Sequence, residues 1–281
     1  MTKTLFNIPG EPENADWQQC RLTMEVGRHL FSYAVTGHDN RLLRLRSYEM
    51  ENGSIRDLAD GLDEVISNDP VLREEMNETV VMYNFPESQF VPEEYFDINL
   101  DRDWLDLLQG DCTKGTILSE KIPGWKQYNV FRVPGEIHPL FQRRFTNGKY
   151  WHYYSLLLKC NREKFHDKKE SLQVIFYPDC ILTTAVDSKG LQLLQRFPYQ
   201  TAEDVCYYLL NVCAQLGLNA STVPLGLSGM LDESSAVYNE MFKYFGGIRL
   251  EEAPAAAAIP GMEAYPPHFF SPILKLASCV S

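Results

Sequence analysis

Side chains able to do chemistry are numerous in this sequence, but their spacing matches few reactions. Seven cysteines (Cys20, Cys112, Cys160, Cys180, Cys206, Cys213 and Cys279) are scattered without a CxxC pair, and six histidines form neither HxxxH nor HExxH. That leaves no ligand set at zinc spacing, so no metal site is expected. Gly226-x-Ser228-x-Met230 lacks the closing glycine of a nucleophile elbow. The acid pairs Glu93-Glu94 and Asp101/Asp103 stand among polar neighbours and read as solvated surface, not as a general acid and base. No catalytic residue is assigned. The same stretch does offer a recognition surface. Between Glu87 and Asp106, the rings of Phe90, Tyr95, Phe96 and Trp104 are interspersed with acids. Aromatic anchors rimmed by charge are typical of protein interfaces. Phe90, Tyr95 and Phe96 are the interface candidates; Trp104 is expected to plug its own domain, since most large rings are buried.

Charge narrows the partners. The chain of 281 residues carries a net charge of −12. Phosphate backbones demand clustered Lys and Arg, and the short basic pieces Arg41–Arg46 and Lys159–Lys169 are interrupted by acids or apolar residues. A nucleic-acid partner is therefore not expected. No segment has the length and purity of a membrane span, and the first twenty residues hold no apolar signal core. The odd number and wide spacing of the cysteines suit reduced thiols and a cytoplasmic location. Cys206 and Cys213, seven apart on a predicted helix, fit one buried face. The sequons at Asn52, Asn77 and Asn219 would matter only in a secretory pathway.

The elements that must position these residues form an α/β pattern that occurs twice. Residues 1–17 are polar and read as a loose arm. Arg21–Met50 reads as three strands with Gly27-Arg28 and Gly37–Asn40 at the turns, Leu22, Met24 and Val26 lining one half-buried face. Ser54 and Asp57 form a capping box ahead of a helix with the stripe Ile55, Leu58, Leu62, Val65 and Ile66, ended by Asp69-Pro70. Glu78–Tyr83 is a buried strand, Asn84–Asn99 an acidic loop, and Leu100–Leu108 a short helix. Thr116–Val133 alternates like strands, His138–Phe145 suits a helix, and Trp151–Cys160 fits helix or strand. From Ser171 the order repeats: a strand to Phe176, a strand Ile181–Val186, the turn Asp187–Gly190, and a strand with Leu193-Leu194. A helix capped by Thr201 and Asp204 follows, with Gly217 as its left-handed stop, and then a strand Thr222–Leu227. Leu30–Val35 overlays Ile181–Val186, and Leu42-Leu43 overlays Leu193-Leu194, at one constant offset. A helix over Glu233–Phe245, a strand Ile248–Leu250, a Pro/Ala linker over 252–267 and a terminal helix over His268–Val280 complete the chain. The expected domains are the arm 1–17, a first lobe 18–147 and a second lobe 148–281. The seam between two such halves is a natural place for a ligand.

Strand hairpin, third strand, helix and strand, present in both halves, resemble the construction of the actin-like ATPases. Leu193–Tyr199, Glu203–Tyr208, Leu216-Gly-Leu218, Val223–Gly229, His268-Phe-Phe270 and Leu274–Cys279 resemble an uncharacterised bacterial domain-of-unknown-function family assigned this ribonuclease H-like fold. The resemblance implies two lobes, each a mixed sheet flanked by helices. It also implies sites to test, because actin-like ATPases clamp nucleotide phosphates with backbone N–H groups of two hairpins and use an acid in each to organise Mg²⁺. By that resemblance Glu25 and Gly27 mark the first hairpin, Asp179 the second, and Ser228 and Gly229 the turn that passes the adenosine. The first keeps an acid and a glycine. The second, Phe176-Tyr177-Pro178-Asp179-Cys180, has no glycine, and Pro178 removes a donor. The expectation is a non-catalytic binding or scaffold protein without cofactor, its partner another protein or a second copy of itself. The alternative is a divergent nucleotide-binding protein or ATPase using ATP and Mg²⁺ at those five residues.

Overall fold

The computed structural model describes residues 2–10, 16–51, 53–110, 114–254 and 259–279. Cys112, the Asn52 sequon, Val280 and residues 255–258 of the Pro/Ala linker lie outside them. The chain divides into two units, Met1–Cys160 with Ile259–Gly261 and Leu276–Ser281, and Asn161–Ala258 with Met262–Lys275.

The first unit begins with β1 (Lys3–Pro9), β2 (Arg21–Gly27), β3 (Leu30–Thr36) and β4 (Leu42–Glu49), then α1 (Ile55–Asn68) and β5 (Glu78–Asn84). β6 (Ser88–Pro92), α2 (Asp101–Gln109), β7 (Gly115–Lys121) and β8 (Gln127–Pro134) follow, and α3 (Ile137–Arg144), β9 (Gly148–His152) and α4 (Tyr153–Cys160) end it. The main sheet has the order β1-β4-β3-β2-β5-β9, and β6-β8-β7 form a second, smaller sheet. β2 is antiparallel to β3 and parallel to β5. It lies inside the sheet and is buried on both faces, so Leu22, Met24 and Val26 do not sit on a half-buried strand. A central strand of a mixed sheet is covered on both sides, and here Thr23 and Glu25 are buried on the second face.

The Ser54–Asp57 capping box forms: Ser54 Oγ accepts the Asp57 N–H, and the Asp57 carboxylate accepts the Ser54 N–H at 2.7 Å. Leu58, Leu62, Val65 and Ile66 are the buried stripe of α1. Asp69 then ends the helix and ties it to the sheet. One of its oxygens accepts the hydroxyls of Tyr33 and Tyr48 at 2.6 and 2.8 Å and an Arg46 N–H at 2.8 Å. Burial alone would raise its pKa; those donors outweigh burial and hold it below the usual carboxylate range.

The second unit holds α5 (Arg162–His166), β10 (Ser171–Phe176), β11 (Cys180–Asp187), β12 (Gly190–Pro198), α6 (Ala202–Leu216), β13 (Leu225–Gly229), α7 (Ala236–Met241) and β14 (Ile248–Leu250); α8 (Ser271–Cys279) closes the chain. Its sheet has the order β12-β11-β10-β13-β14. That order matches β4-β3-β2-β5-β9 strand for strand, with the same parallel and antiparallel senses. α6 is capped by Thr201 and Asp204, stopped by Gly217 at φ 69°, and buries Val205, Cys206, Leu209, Val212 and Cys213.

The register corrects the gapless overlay. Val26 pairs with Phe31 and Phe176 with Ile181, so Ile181 stands at the place of Phe31, not of Leu30. Ala34 pairs with Leu45 and Thr184 with Leu194, so Leu194 stands at the place of Leu45. A one-residue slip reverses which side chains face the core, and apolar residues on both faces hide that slip in the sequence.

Other expectations change too. The arm 1–17 contains β1, which adds to the edge of β4. The first lobe does not stop at residue 147, because β9 pairs with β5 and carries the chain into α4. Asn84–Asn99 contains β6, Trp151–Cys160 is strand and then helix, α7 is shorter than Glu233–Phe245, and Ser228 and Gly229 end β13 instead of forming a separate turn. Cys160 and Cys279 form a disulfide, so the reading of all seven cysteines as reduced thiols is corrected, and the thiol argument for a cytoplasmic location goes with it. Their separation of 119 residues hides the pair until the chain folds. Cys20, Cys180, Cys206 and Cys213 are buried and stand outside the disulfide. No helix among the described residues is long and apolar enough to cross a membrane.

Candidate functional site

Three strand ends carry the residues singled out for nucleotide chemistry, and each unit is considered by itself. In the first unit, Glu25 lies on β2 and is buried; Asn84 Nδ2 donates to its Oε1 at 2.6 Å. Gly27, at the end of the same strand, pairs with Asn84, so Glu25, Gly27 and Asn84 share one end of the β2–β5 pair. Gly27 is not in the left-handed region, and a Cβ there would meet Leu30 O at 3.4 Å, an ordinary contact.

In the second unit, Asp179 is exposed on the turn between β10 and β11. That turn closes on itself: the Tyr177 N–H donates to Cys180 O at 2.9 Å, and Pro178 has no N–H. The Tyr177 ring is buried, the Arg196 guanidinium lies 5.5 Å from its centroid, and the Tyr199 hydroxyl donates to Tyr177 O at 3.2 Å. β13 brings Ser228 and Gly229 beside this turn, because Ile175 pairs with Ser228 and Phe176 with Gly229. Ser228 is buried. The Gly229 N–H donates to His268 O at 2.9 Å, and the Met230 N–H to Phe176 O at 2.9 Å. His268 is buried as well, and its Nε2 lies 2.7 Å from Leu231 O. Gly229 has φ 82°, and a Cβ would stand 2.4 Å from Phe176 O. Here glycine is demanded by conformation and by close backbone approach together.

The interface candidates separate. Phe96 stacks on Tyr128 with centroids 3.7 Å apart and, with Trp104, packs against the small core of Val91, Leu105 and Val130. Phe90 is half-buried on β6, and Tyr95 is exposed. Sequence reasoning missed Ile98, Leu100, Leu107 and Leu108, which are also exposed. The signal was present, since Leu105 cannot face the core together with both Leu107 and Leu108 on one short helix.

A polar cluster of the first unit, buried at Asn129, His152 and Ser155 and half-buried at Ser88 and Glu120, was missed as well. Ser88 Oγ donates to Asn129 Oδ1 at 2.7 Å, Asn129 Nδ2 donates to Ser155 Oγ at 3.0 Å, and Glu120 Oε1 accepts the His152 N–H at 2.9 Å. Burial pushes the Glu120 carboxyl up to about 8, against the pull of hydrogen bonds from Ser155 and the His152 backbone. His152 Nδ1 accepts the Tyr154 N–H, so the ring proton sits on Nε2 and is donated to Phe85 O at 3.0 Å. These residues lie far apart in sequence, and nothing in their spacing announces the cluster. Among the described residues no group of three or more His, Cys, Asp or Glu is placed to hold a metal ion.

Comparison with known proteins agrees on the fold. A protein from Bacteroides thetaiotaomicron with an actin-like ATPase fold and unknown function is similar at 17% identity, over 94% of this chain and 99% of that one, with a TM-score of 0.77. The PilM–PilN type IV pilus biogenesis complex is similar at 10% identity, over 92% of this chain and 97% of that one, with a TM-score of 0.55. Among curated proteins no sequence matches. The family described as "Protein of unknown function (DUF3822)" matches residues 12–248. With the strand order of both sheets and these likenesses together, the chain has the actin-like ATPase fold and belongs to the DUF3822 family.

Proposed function

We propose that this chain is a non-catalytic binding protein on an actin-like frame, in which the turn of the second hairpin and the neighbouring end of β13 have become self-contained. The Tyr177–Cys180 turn carries this reading. Holding and transferring a phosphoryl group rests on backbone N–H groups and cations aimed at the phosphate oxygens. In this turn the Tyr177 N–H is committed to Cys180 O and Pro178 has none. At the neighbouring strand end, the Gly229 and Met230 N–H groups are committed to His268 and Phe176. The buried Tyr177 ring adds bulk at the same turn. These residues do not fit a magnesium-bound triphosphate. The likeness to PilM–PilN, a complex, and the exposure of Tyr95 support a role in protein binding. The shared strand order supports descent of the two units from one duplicated segment.

Thermal unfolding of the full chain with and without millimolar Mg-ATP tests the reading. The expected result is an unchanged midpoint. A ligand at a hundred times its Kd adds about 2.7 kcal/mol, several degrees in a chain of this size, and such a rise overturns the proposal.

One observation favours a second reading, nucleotide binding at the first unit. Gly27 is a glycine that neither its φ nor its surroundings demand, and it stands beside the buried acid Glu25. That reading predicts stabilisation by ATP with Mg²⁺ that Glu25→Ala abolishes.

A further inference from the structure

We infer that the outer face of α2 is a docking site for a basic amphipathic helix, an assignment that rests on the protein-binding reading above. A short helix against a small sheet should turn its apolar residues inward and polar residues outward. α2 meets the first requirement, because Leu105 is buried with Val91 and Val130. It breaks the second. Leu107 and Leu108 are 74% and 58% exposed, and Ile98, in the turn of 3-10 helix that leads straight into α2, is 68% exposed. Leu100, in that same turn, is exposed too, and it stands seven residues before Leu107, with Asp103 between them, on one face of the helical run.

These side chains add nothing to the core beneath them. α2 is held down from its other side by Arg132, which is buried and donates to Asp106 at 2.7 Å and to Glu87 at 3.0 Å. Single exposed leucines are ordinary, but a run of large apolar residues along one helix marks an interaction surface.

Charge selects the occupant. Arg102 is the one basic residue between Glu93 and Gln109. Glu93 is paired with Lys121 and Asp106 with Arg132, whereas Glu94, Asp97 and Asp103 form no ion pair among the described residues. A second copy of this chain would set the same acids against each other, and the net charge of −12 adds to that repulsion. An anionic lipid surface is repelled in the same way. A helix with a leucine stripe flanked by Lys and Arg satisfies both halves of the surface: its stripe covers Leu100, Leu107 and Leu108, and its cations meet Asp97 and Asp103.

Fluorescence anisotropy of the full chain with a labelled peptide of about five helical turns tests this. The probe carries leucines at helical spacing with lysine and arginine flanks; a sister peptide carries glutamate flanks, and a third is shuffled. The expected result is saturable binding of the basic peptide alone, weakened at least about tenfold by L107S combined with L108S. Asp103→Lys weakens it too, and raising the salt to about 0.3 M weakens it several-fold. Both leucines are exposed, so the double variant should keep the parent's unfolding midpoint, which is measured alongside. Equal binding of the glutamate-flanked peptide, or indifference to L107S with L108S, overturns the inference. So does a dimer in sedimentation, or attachment to phosphatidylserine vesicles, that the double variant removes. A chain that ignores both the basic peptide and Mg-ATP loses the docking site and keeps the non-catalytic reading. A chain stabilised by Mg-ATP loses the reading on which the site rests.

Discussion

Gly27 and Gly229 both end a central strand, yet the structure asks different things of them. Gly229 sits at φ 82° with Phe176 O where its Cβ would be, whereas Gly27 sits outside the left-handed region with its nearest obstacle in ordinary contact. Gly229→Ala should therefore destabilise the chain by about 2 kcal/mol or more, through strain and displacement of the Phe176 backbone. Gly27→Ala should be neutral or stabilising by up to about 1 kcal/mol, since a glycine inside a strand is entropically costly. Urea midpoints of the two variants against the parent check both outcomes. The contrast also measures how much of the site was legible in the sequence. Pro178 removes a donor from its turn in any fold, so that missing N–H could be read directly. The commitment of the Gly229 N–H to His268 could not, because nothing local links those residues. Phe96 was legible as an aromatic among acids but not as the partner of Tyr128, so its ring belongs to the small core more than to an interface.

Elements with strong local signals were legible because their own side chains build them. The two capping boxes, at Ser54–Asp57 and Thr201–Asp204, and the stop at Gly217 are satisfied within a few residues of sequence. β1 and β9 were hidden because each is a short edge strand whose evidence is its partner, β4 or β5. The polar cluster beneath β7 and α4 was hidden for the same reason and has a measurable consequence. Burial raises the Glu120 carboxyl to about 8 against the pull of the Ser155 hydroxyl and the His152 N–H. In the unfolded chain Glu120 titrates at an ordinary carboxylate value, about 4.3. Between those values the folded state holds a proton that the unfolded state has lost, so stability declines as pH rises. The contribution is present in full below about pH 4 and is gone above pH 8, a fall of a few kcal/mol at most at about 1.4 kcal/mol per pH unit. Glu120→Gln keeps an acceptor for the His152 N–H and removes the titration. Denaturant midpoints measured from pH 5 to pH 8 should fall in the parent and flatten in this variant.

At the scale of the whole molecule, one strand order built twice from different residues explains why the fold was readable while its exact register was not. Topology follows from the succession of elements, whereas register follows from pairings that apolar strands leave ambiguous. The disulfide belongs to this scale too, since it joins Cys160 to Cys279 across 119 residues of sequence. Closing a loop of that length removes entropy from the unfolded chain, worth about 4–5 kcal/mol by chain statistics. Reduction, or Cys160→Ser, should lower the urea midpoint, and an unchanged midpoint would show that the native ends of α4 and α8 gain nothing from the bond. The central claim is that the Tyr177, Gly229 and Met230 N–H groups of the second unit are already spent inside the protein. Isothermal titration of the full chain with ATP in excess Mg²⁺ tests it most directly. No saturable heat is expected at millimolar nucleotide; saturable binding, lost on Glu25→Ala, would contradict the claim.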